Sequence, residues 1–125
     1  MAAGTVTVTE ETYGTLKKIT FAWTSGTGAD AGTASGATTG AYTGALERLV
    51  TVPAAGGDAP DDNYDLTLTD EDSVDALVTA GANRHTSTTQ QVLGTSLGIV
   101  ANDKLTLNVT NAGEGNKGTV YVYLR

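Results

Sequence analysis

Alternation of apolar and polar residues with a period of two recurs along this chain and most restricts its fold. The pattern occurs in TVTVTEE (5–11), KKITFAW (17–23), NYDLTLTD (63–70) and GTVYVYLR (118–125). A period of two indicates β-strands, whose successive side chains point to opposite faces of a sheet. The sequence therefore predicts an all-β protein built from short strands.

The phase of the alternation predicts which side chains face the core. The set predicted inside is Val6, Val8, Ile19, Phe21, Trp23, Leu46, Val50, Val52, Tyr64, Leu66, Leu68, Leu105, Leu107, Val109, Val120, Val122 and Leu124. Threonines suit the pleated surface, and the sixteen glycines suit the turns between strands. We expect an antiparallel β-sandwich of about eight strands, with jelly-roll or similar Greek-key topology. An immunoglobulin-like topology is the alternative.

The length of 125 residues predicts a single domain, 1–125. The segment TSGTGADAGTASGATTG, residues 24–40, has no large apolar side chain and predicts a flexible surface loop. In DEDSVDALVTAG, residues 70–81, three apolar residues follow helical spacing after an acidic start. A short helix near 73–79 is therefore expected to cap one end of the sandwich.

The charge balance excludes some partners. Fourteen acidic and seven basic residues give a net charge of −7, which argues against direct binding of nucleic acid or of an anionic membrane surface. There is no cysteine, and no stretch approaches the roughly 20 apolar residues of a membrane-spanning helix. The N-terminal MAAGTVTVTEETYG lacks the features of a signal peptide, which predicts synthesis in the cytoplasm.

The sequence contains no recognisable catalytic constellation. His85 is the single histidine, whereas a zinc site needs three or four nitrogen or sulfur ligands. No serine lies in the G-x-S-x-G pattern of a nucleophile elbow. We therefore expect a protein that is not an enzyme, with no catalytic residues and no cofactor, and with His85 exposed to solvent.

The acidic segment 61–72 is the best metal candidate. Asp61, Asn63 and Asp65 alternate, and Asp72 falls twelfth from Asp61, as in an EF-hand loop. Leu66, however, stands where that loop needs glycine. Two interpretations remain open: a structural calcium, or solvated acids flanking a strand. The weak calcium candidates are Asp61, Asp62, Asp70 and Asp72.

The strand GTVYVYLR carries large side chains on both faces. Opposite the apolar row lie Tyr121, Tyr123 and Arg125, and tyrosine and arginine are enriched at the centres of protein interfaces. Either this second face contacts another protein, or a loop or the N-terminal strand of the same chain covers it. Tyr121, Tyr123 and Arg125 are the candidate interface residues.

The segments KKITFAWTS, NYDLTLTDEDSVDAL and NAGEGNKGTVYVYLR resemble the small accessory virion proteins of tailed bacteriophages, of the capsid decoration, or cement, type. The resemblance implies a non-catalytic β-sandwich that binds the outside of a capsid and cements neighbouring capsomers. It implies the major capsid protein and further copies of the chain, as a homo-oligomer, as partners. It also implies location on the capsid exterior after synthesis in the host cytoplasm.

Other functions also fit a small β-sandwich. One is a different virion part, such as a head–tail connector, a tail component or a fibre-base module. Another is a carbohydrate-binding module, although such a module needs exposed aromatic residues and Trp23 lies in phase with Ile19 and Phe21.

Overall fold

The computed structural model describes residues 3–125 and consists mainly of antiparallel β-strands. The nine strands are β1 (Thr5–Tyr13), β2 (Leu16–Thr24), β3 (Ala34–Ala37), β4 (Tyr42–Pro53), β5 (Asp65–Thr69), β6 (Gln90–Leu93), β7 (Ile99–Asp103), β8 (Thr106–Thr110) and β9 (Lys117–Leu124). Single 3₁₀ turns lie at Gly28–Asp30, Gly56–Asp58 and Gly94–Ser96. The predicted all-β fold is confirmed.

The strands form two sheets whose pairing is nested. The larger sheet has the order β1-β2-β9-β4-β6, with β7 also paired to β4, and the smaller sheet has the order β3-β8-β5. Strand β2 pairs with β9, β3 with β8 and β4 with β7, and strands β2 to β5 alternate between the two sheets. These three nested antiparallel pairs are arranged as in a jelly roll, whereas β6 pairs with β4 and not with β5, and the two sheets together form an all-β sandwich.

The core lies between the two sheets and follows the predicted phase in most strands. Ile19, Phe21 and Trp23 of β2 meet the inward row of β9, while Leu66 and Leu68 come from the smaller sheet. All five are at most 1% exposed. Because apolar burial dominates folding free energy, this alternation explains how the two sheets stay together.

The predicted phase is wrong in the second half of β4. The register of β4 against β9 shifts between Leu46 and Arg48, so one extra residue is inserted there. Beyond this irregularity Leu49 faces the core opposite Val122, whereas Val50 lies on the outer face opposite Tyr121, where neighbouring side chains leave it only 8% exposed. A bulge reverses the alternation of a strand, and a constant period of two cannot anticipate it.

The predicted short helix near 73–79 is wrong, because this segment forms consecutive turns. The carboxylate of Asp75 accepts hydrogen bonds from the backbone N–H groups of Leu68, Leu77 and Thr79. Val78 and Thr79 have positive φ angles of 51° and 65°. A side chain that captures nearby backbone donors competes with helix formation, and left-handed residues cannot continue a right-handed helix.

The segment 24–40 is not a loop throughout, since Ala34–Ala37 forms β3 and pairs with β8. Its small residues permit close approach of neighbouring backbone. A Cβ atom on Gly36 would lie 2.6 Å from Cβ of Val6 on β1. The loop prediction is therefore wrong for residues 34–37, and the flexibility of the remainder stays a prediction.

Three buried polar atoms lack a hydrogen-bond partner of ordinary geometry within the described residues: Nε1 of Trp23, Oγ1 of Thr51 and the hydroxyl of Tyr64. The rings of Trp23 and Tyr64 pack with centroids 5.5 Å apart. Burial raises the pKa of Tyr64, and the nearby Thr51 hydroxyl lowers it without meeting the phenol in an ordinary hydrogen bond. The unpaired buried polar atoms of the described core are thus concentrated around Trp23, Thr51 and Tyr64.

Candidate functional site

The tyrosines of β9 lie on the outer surface of the larger sheet. Residues paired in register across neighbouring strands point to the same side. The row through Tyr123 contains Glu11, Lys18, Tyr123, Arg48 and Leu93, in that order across five strands. Every strand of the sheet order therefore contributes one side chain to this row.

The adjacent rows follow the same rule. Tyr121 lies between Thr20 of β2 and Val50 of β4, and Thr119 lies between Ala22 and Val52. We call this surface the tyrosine face. It comprises Thr5, Thr7, Thr9, Glu11, Tyr13, Leu16, Lys18, Thr20, Ala22, Thr24, Ala45, Glu47, Arg48, Val50, Val52, Gln91, Leu93, Ile99, Lys117, Thr119, Tyr121, Tyr123 and Arg125.

Two cations lie over the tyrosine rings. Nζ of Lys18 is 4.9 Å from the ring centroid of Tyr121 and 5.9 Å from that of Tyr123. Cζ of Arg48 lies 5.4 Å from the Tyr123 centroid, and its Nε donates a hydrogen bond of 2.9 Å to Oε1 of Gln91. Attraction of each cation to a ring contributes about 0.5–1 kcal/mol at an exposed site. The centre of the tyrosine face is therefore preorganised.

The tyrosine face is open. Strand β1 does not cover β9 but lies beside β2 at the edge of the same sheet. Tyr121 and Tyr123 are half-buried beneath the cations, and Arg125 is exposed. The backbone of Arg125 exchanges hydrogen bonds of 3.0 and 3.1 Å with Ala45. The three candidate interface residues thus lie on one open surface.

Exposed apolar side chains concentrate on the tyrosine face. Tyr13 is 57% exposed, Leu93 is 60% exposed and Ile99 is 77% exposed. These are three of the five large apolar residues that are strongly exposed within the described chain, and Val74 and Val78 are the other two. Sequence reasoning missed Leu93 and Ile99, although the run of uncharged residues from 86 to 102 could have indicated an apolar edge.

A shallow groove of about 320 Å³ crosses the tyrosine face. The groove exists because the short side chains of Ala22 and Thr119, and the absence of one at Gly118, leave a depression between Val52 and Lys117. Trp23 lies at the bottom of the groove but is only 1% exposed, so its indole ring is not accessible for stacking with a ligand. Carbohydrate-binding surfaces present their aromatic rings openly, and this groove does not.

The four weak calcium candidates are not brought together. Asp70 and Asp72 cluster with Asp103, and one carboxylate oxygen of each lies within 4.8 Å of the others. Asp61 instead lies beside Ala112, and Asp62 accepts a hydrogen bond of 3.2 Å from the N–H of Thr86. The five-residue strand β5, roughly 17 Å long, separates the two pairs.

The Asp70–Asp72–Asp103 cluster is largely occupied with the backbone. Oδ1 of Asp70 accepts N–H bonds from Asp72 and Val74, and Oδ1 of Asp103 accepts one from Glu71. These contacts stabilise the turns after β5 without requiring a cation. Sequence reasoning missed the position of Asp103 beside Asp70 and Asp72.

Glu10 fastens β1 to the loop between β3 and β4. Its carboxylate accepts hydrogen bonds from the N–H and Oγ1 of Thr39, the N–H of Gly40 and the hydroxyl of Tyr42 at 2.7–3.0 Å. Burial raises the pKa of Glu10, but these bonds outweigh it and lower the pKa to about 2. The position was recognisable in the sequence, because Glu10 follows Val6 and Val8 in the inward phase.

Replacing Glu10 with glutamine is expected to lower the free energy of unfolding by about 1 kcal/mol at neutral pH, since a largely exposed group contributes less than its pKa shift suggests. A lowered pKa stabilises the fold above the unfolded pKa near 4.5, and this stabilisation is lost as the pH falls toward 2. Urea unfolding at several pH values should show that the difference in the free energy of unfolding between E10Q and wild type becomes smaller as the pH falls from about 4.5 toward 2. E47Q, at an exposed glutamate, is the control, and an equal effect of both variants contradicts the prediction.

His85 is exposed, and its Nδ1 accepts hydrogen bonds from the N–H groups of Ser87 and Thr88. These bonds close a turn before β6. The hydroxyl of Ser87 lies 3.4 Å from the same Nδ1, and the sequence has no cysteine or second histidine that could join His85 as a nitrogen or sulfur ligand of zinc.

The chain belongs structurally to the all-β sandwiches, with one open, aromatic and cationic sheet face. No protein-family model matches it, and no curated protein matches it. None of the helical segments within residues 3–125 is long and apolar enough to cross a membrane. The tyrosine face is therefore the structural feature that bears on function.

Proposed function

We propose that this protein is a non-catalytic structural component of a tailed-bacteriophage virion, bound to the outside of the capsid. There it cements neighbouring capsomers, with the major capsid protein and further copies of itself as partners. Its location is the capsid exterior, reached after synthesis in the host cytoplasm. The resemblance of three sequence segments to decoration proteins supplies the class, and the surface chemistry supports a binding role.

The observation that carries this proposal is the tyrosine face. Tyr121 and Tyr123 occupy the central strand β9, and Lys18 and Arg48 lie over their rings. Exposed apolar residues surround this centre, as in interfaces where aromatic residues and arginine dominate the binding free energy. A contact of roughly 800 Å² on each partner would suffice for a specific complex.

A rigid sheet face suits a mechanical role. Neighbouring capsomers are pulled apart by pressure inside a filled shell, and a bound protein that spans them adds contact area against that force. The face belongs to a preformed sheet, so little ordering is needed on binding. Self-association of the decoration protein multiplies its attachment points, which increases avidity.

Replacing both Tyr121 and Tyr123 with serine is expected to weaken capsid binding by about tenfold or more, because interface tyrosines often contribute over 1 kcal/mol each. Binding is measured by co-sedimentation with capsids of the encoding phage that lack this protein. V74S/V78S, which removes two exposed apolar residues outside the tyrosine face, is the matched control. Circular dichroism checks that both variants fold.

Location on the particle tests the function independently. Mass spectrometry of purified virions should detect the chain, and cryo-electron microscopy should place it on the outer capsid surface. A position at the head–tail junction or in the tail would assign it to a different virion part. Absence from virions, or wild-type capsid binding by Y121S/Y123S, would contradict the proposal.

A further inference from the structure

Positive charge is concentrated on the tyrosine face. Lys18, Arg48, Lys117 and Arg125 lie there together with two acids, Glu11 and the exposed Glu47 beside Arg48 in the β4 bulge. The chain has seven basic and fourteen acidic side chains. The rest of the molecule therefore carries three basic and twelve acidic side chains. One basic sheet face on an otherwise acidic protein is a strong charge asymmetry.

The central cations are held in place but are not neutralised. Lys18 lies over Tyr121 and Tyr123, and Arg48 lies over Tyr123 with its Nε bonded to the neutral Gln91. Within residues 3–125 neither cation forms an ion pair with a carboxylate. A cation positioned over an aromatic ring keeps its charge and remains able to receive an anionic group.

We infer that the partner of the tyrosine face is a protein surface that presents carboxylates to Lys18 and Arg48, on either side of a small apolar contact with the tyrosines. This inference rests on the proposed function and specifies the chemistry of the capsid surface to which the protein binds. Charge complementarity of this kind sets orientation and accelerates encounter. It also makes the interaction sensitive to salt.

Other occupants fit the face less well. A two-fold dimer through it would bring the basic side chains of both copies into one interface that holds fewer acids to pair with them, which is unfavourable. A second copy binding through its acidic side would form a head-to-tail contact, which gives a ring where the rotation closes and an open filament where it does not, and self-association in sedimentation velocity distinguishes this occupant. Nucleic acid and anionic lipid present dense negative charge, and a molecule of net charge −7 is repelled by both.

Immobilised poly-L-glutamate serves as the carboxylate probe, and biolayer interferometry measures binding at about 20 mM and about 150 mM salt. The whole protein has the same sign of charge as the probe, so measurable binding must come from a local basic surface. K18Q/R48Q removes two charges from the tyrosine face. K17Q/K104Q removes two charges outside it and is the matched control, because the net charge of both variants is equal.

We expect wild type and K17Q/K104Q to bind the probe alike at low salt, K18Q/R48Q to bind roughly fivefold more weakly, and high salt to weaken all three. Equal weakening of both variants, or no binding of wild type, overturns the inference. So does tighter binding to short duplex DNA or to phosphatidylcholine–phosphatidylserine vesicles. Salt-sensitive self-association in sedimentation velocity that K18Q/R48Q abolishes would also overturn it, because the occupant would then be a second copy.

These outcomes are independent of the test of the proposed function. If capsid binding requires Tyr121 and Tyr123 but poly-L-glutamate is not bound, the decoration role stands and the inferred partner chemistry fails. If the probe is bound through Lys18 and Arg48 but the protein is absent from virions, the surface chemistry stands and the decoration role fails.

Discussion

Replacing Leu68 with alanine is expected to lower the free energy of unfolding by about 2–5 kcal/mol, the largest single effect anticipated for this protein. Leu68 is fully buried on β5 and lies opposite Leu107 in the smaller sheet. Removing its side chain leaves a cavity between the sheets that a close-packed core cannot fill completely. Urea unfolding, followed by tryptophan fluorescence and circular dichroism, measures the change.

Leu93→Ala is the matched control, because Leu93 also lies in a strand but is 60% exposed on the tyrosine face. Its removal is expected to change the free energy of unfolding by less than about 1 kcal/mol. Equal effects of the two leucine variants would show that β5 does not face the core as described.

Gly118→Ala is expected to destabilise the protein by about 2 kcal/mol through overpacking. Gly118 lies in β9 between Trp23 of β2 and Pro53 of β4. An added Cβ would lie 2.6 Å from Cζ2 and 2.9 Å from Nε1 of Trp23. The indole is buried and packs on Tyr64, so it has little room to move away.

Gly57→Ala is the control for Gly118→Ala, since a Cβ at Gly57 would meet nothing within 4 Å. Its effect on the free energy of unfolding is expected to stay within about 0.5 kcal/mol. A double-mutant cycle identifies the cause: Gly118→Ala should cost less in a Trp23→Phe background, where the smaller ring leaves space. An equal cost in both backgrounds would contradict the clash with Trp23.

Much of the fold could be predicted because the relevant signal is local. The alternation in β2, β5 and β9 specifies which side chains face inward, and Ile19, Phe21, Leu66 and Val122 are buried as predicted. Such periodicity needs no knowledge of strand partners, since each strand must bury one face against something. Sandwich architecture then follows from the number of strands and the turn residues between them.

The errors have physical causes that a local pattern does not contain. The bulge in β4 moved Val50 to the outer face, and the carboxylate of Asp75 replaced the predicted helix with turns. Residues 34–37 contain no large apolar side chain, yet they form β3 because their backbone pairs with β8. Backbone pairing with a distant strand stabilises a segment whatever its local propensity.

The candidate site was only partly predictable, because part of it depends on which strands are neighbours in the sheet. The phase of β9 identified Tyr121, Tyr123 and Arg125 as one surface. Lys18 and Arg48 joined them only because β2 and β4 flank β9 in the sheet order, and sequence alone does not specify that order. The four weak calcium candidates are not brought together, because Asp61 and Asp62 lie at the opposite end of β5 from Asp70 and Asp72.

The nested strand order has a consequence for how the protein acquires its fold. Strand β9 occupies the middle of the larger sheet, and Lys17 of β2 pairs with Leu124, more than a hundred positions later in the chain. During synthesis, strands β2 and β4 therefore remain unpaired on the sides that β9 later occupies. Closing such long loops is slow, so folding over milliseconds to seconds is expected, with a transient risk of aggregation while those edges remain unpaired.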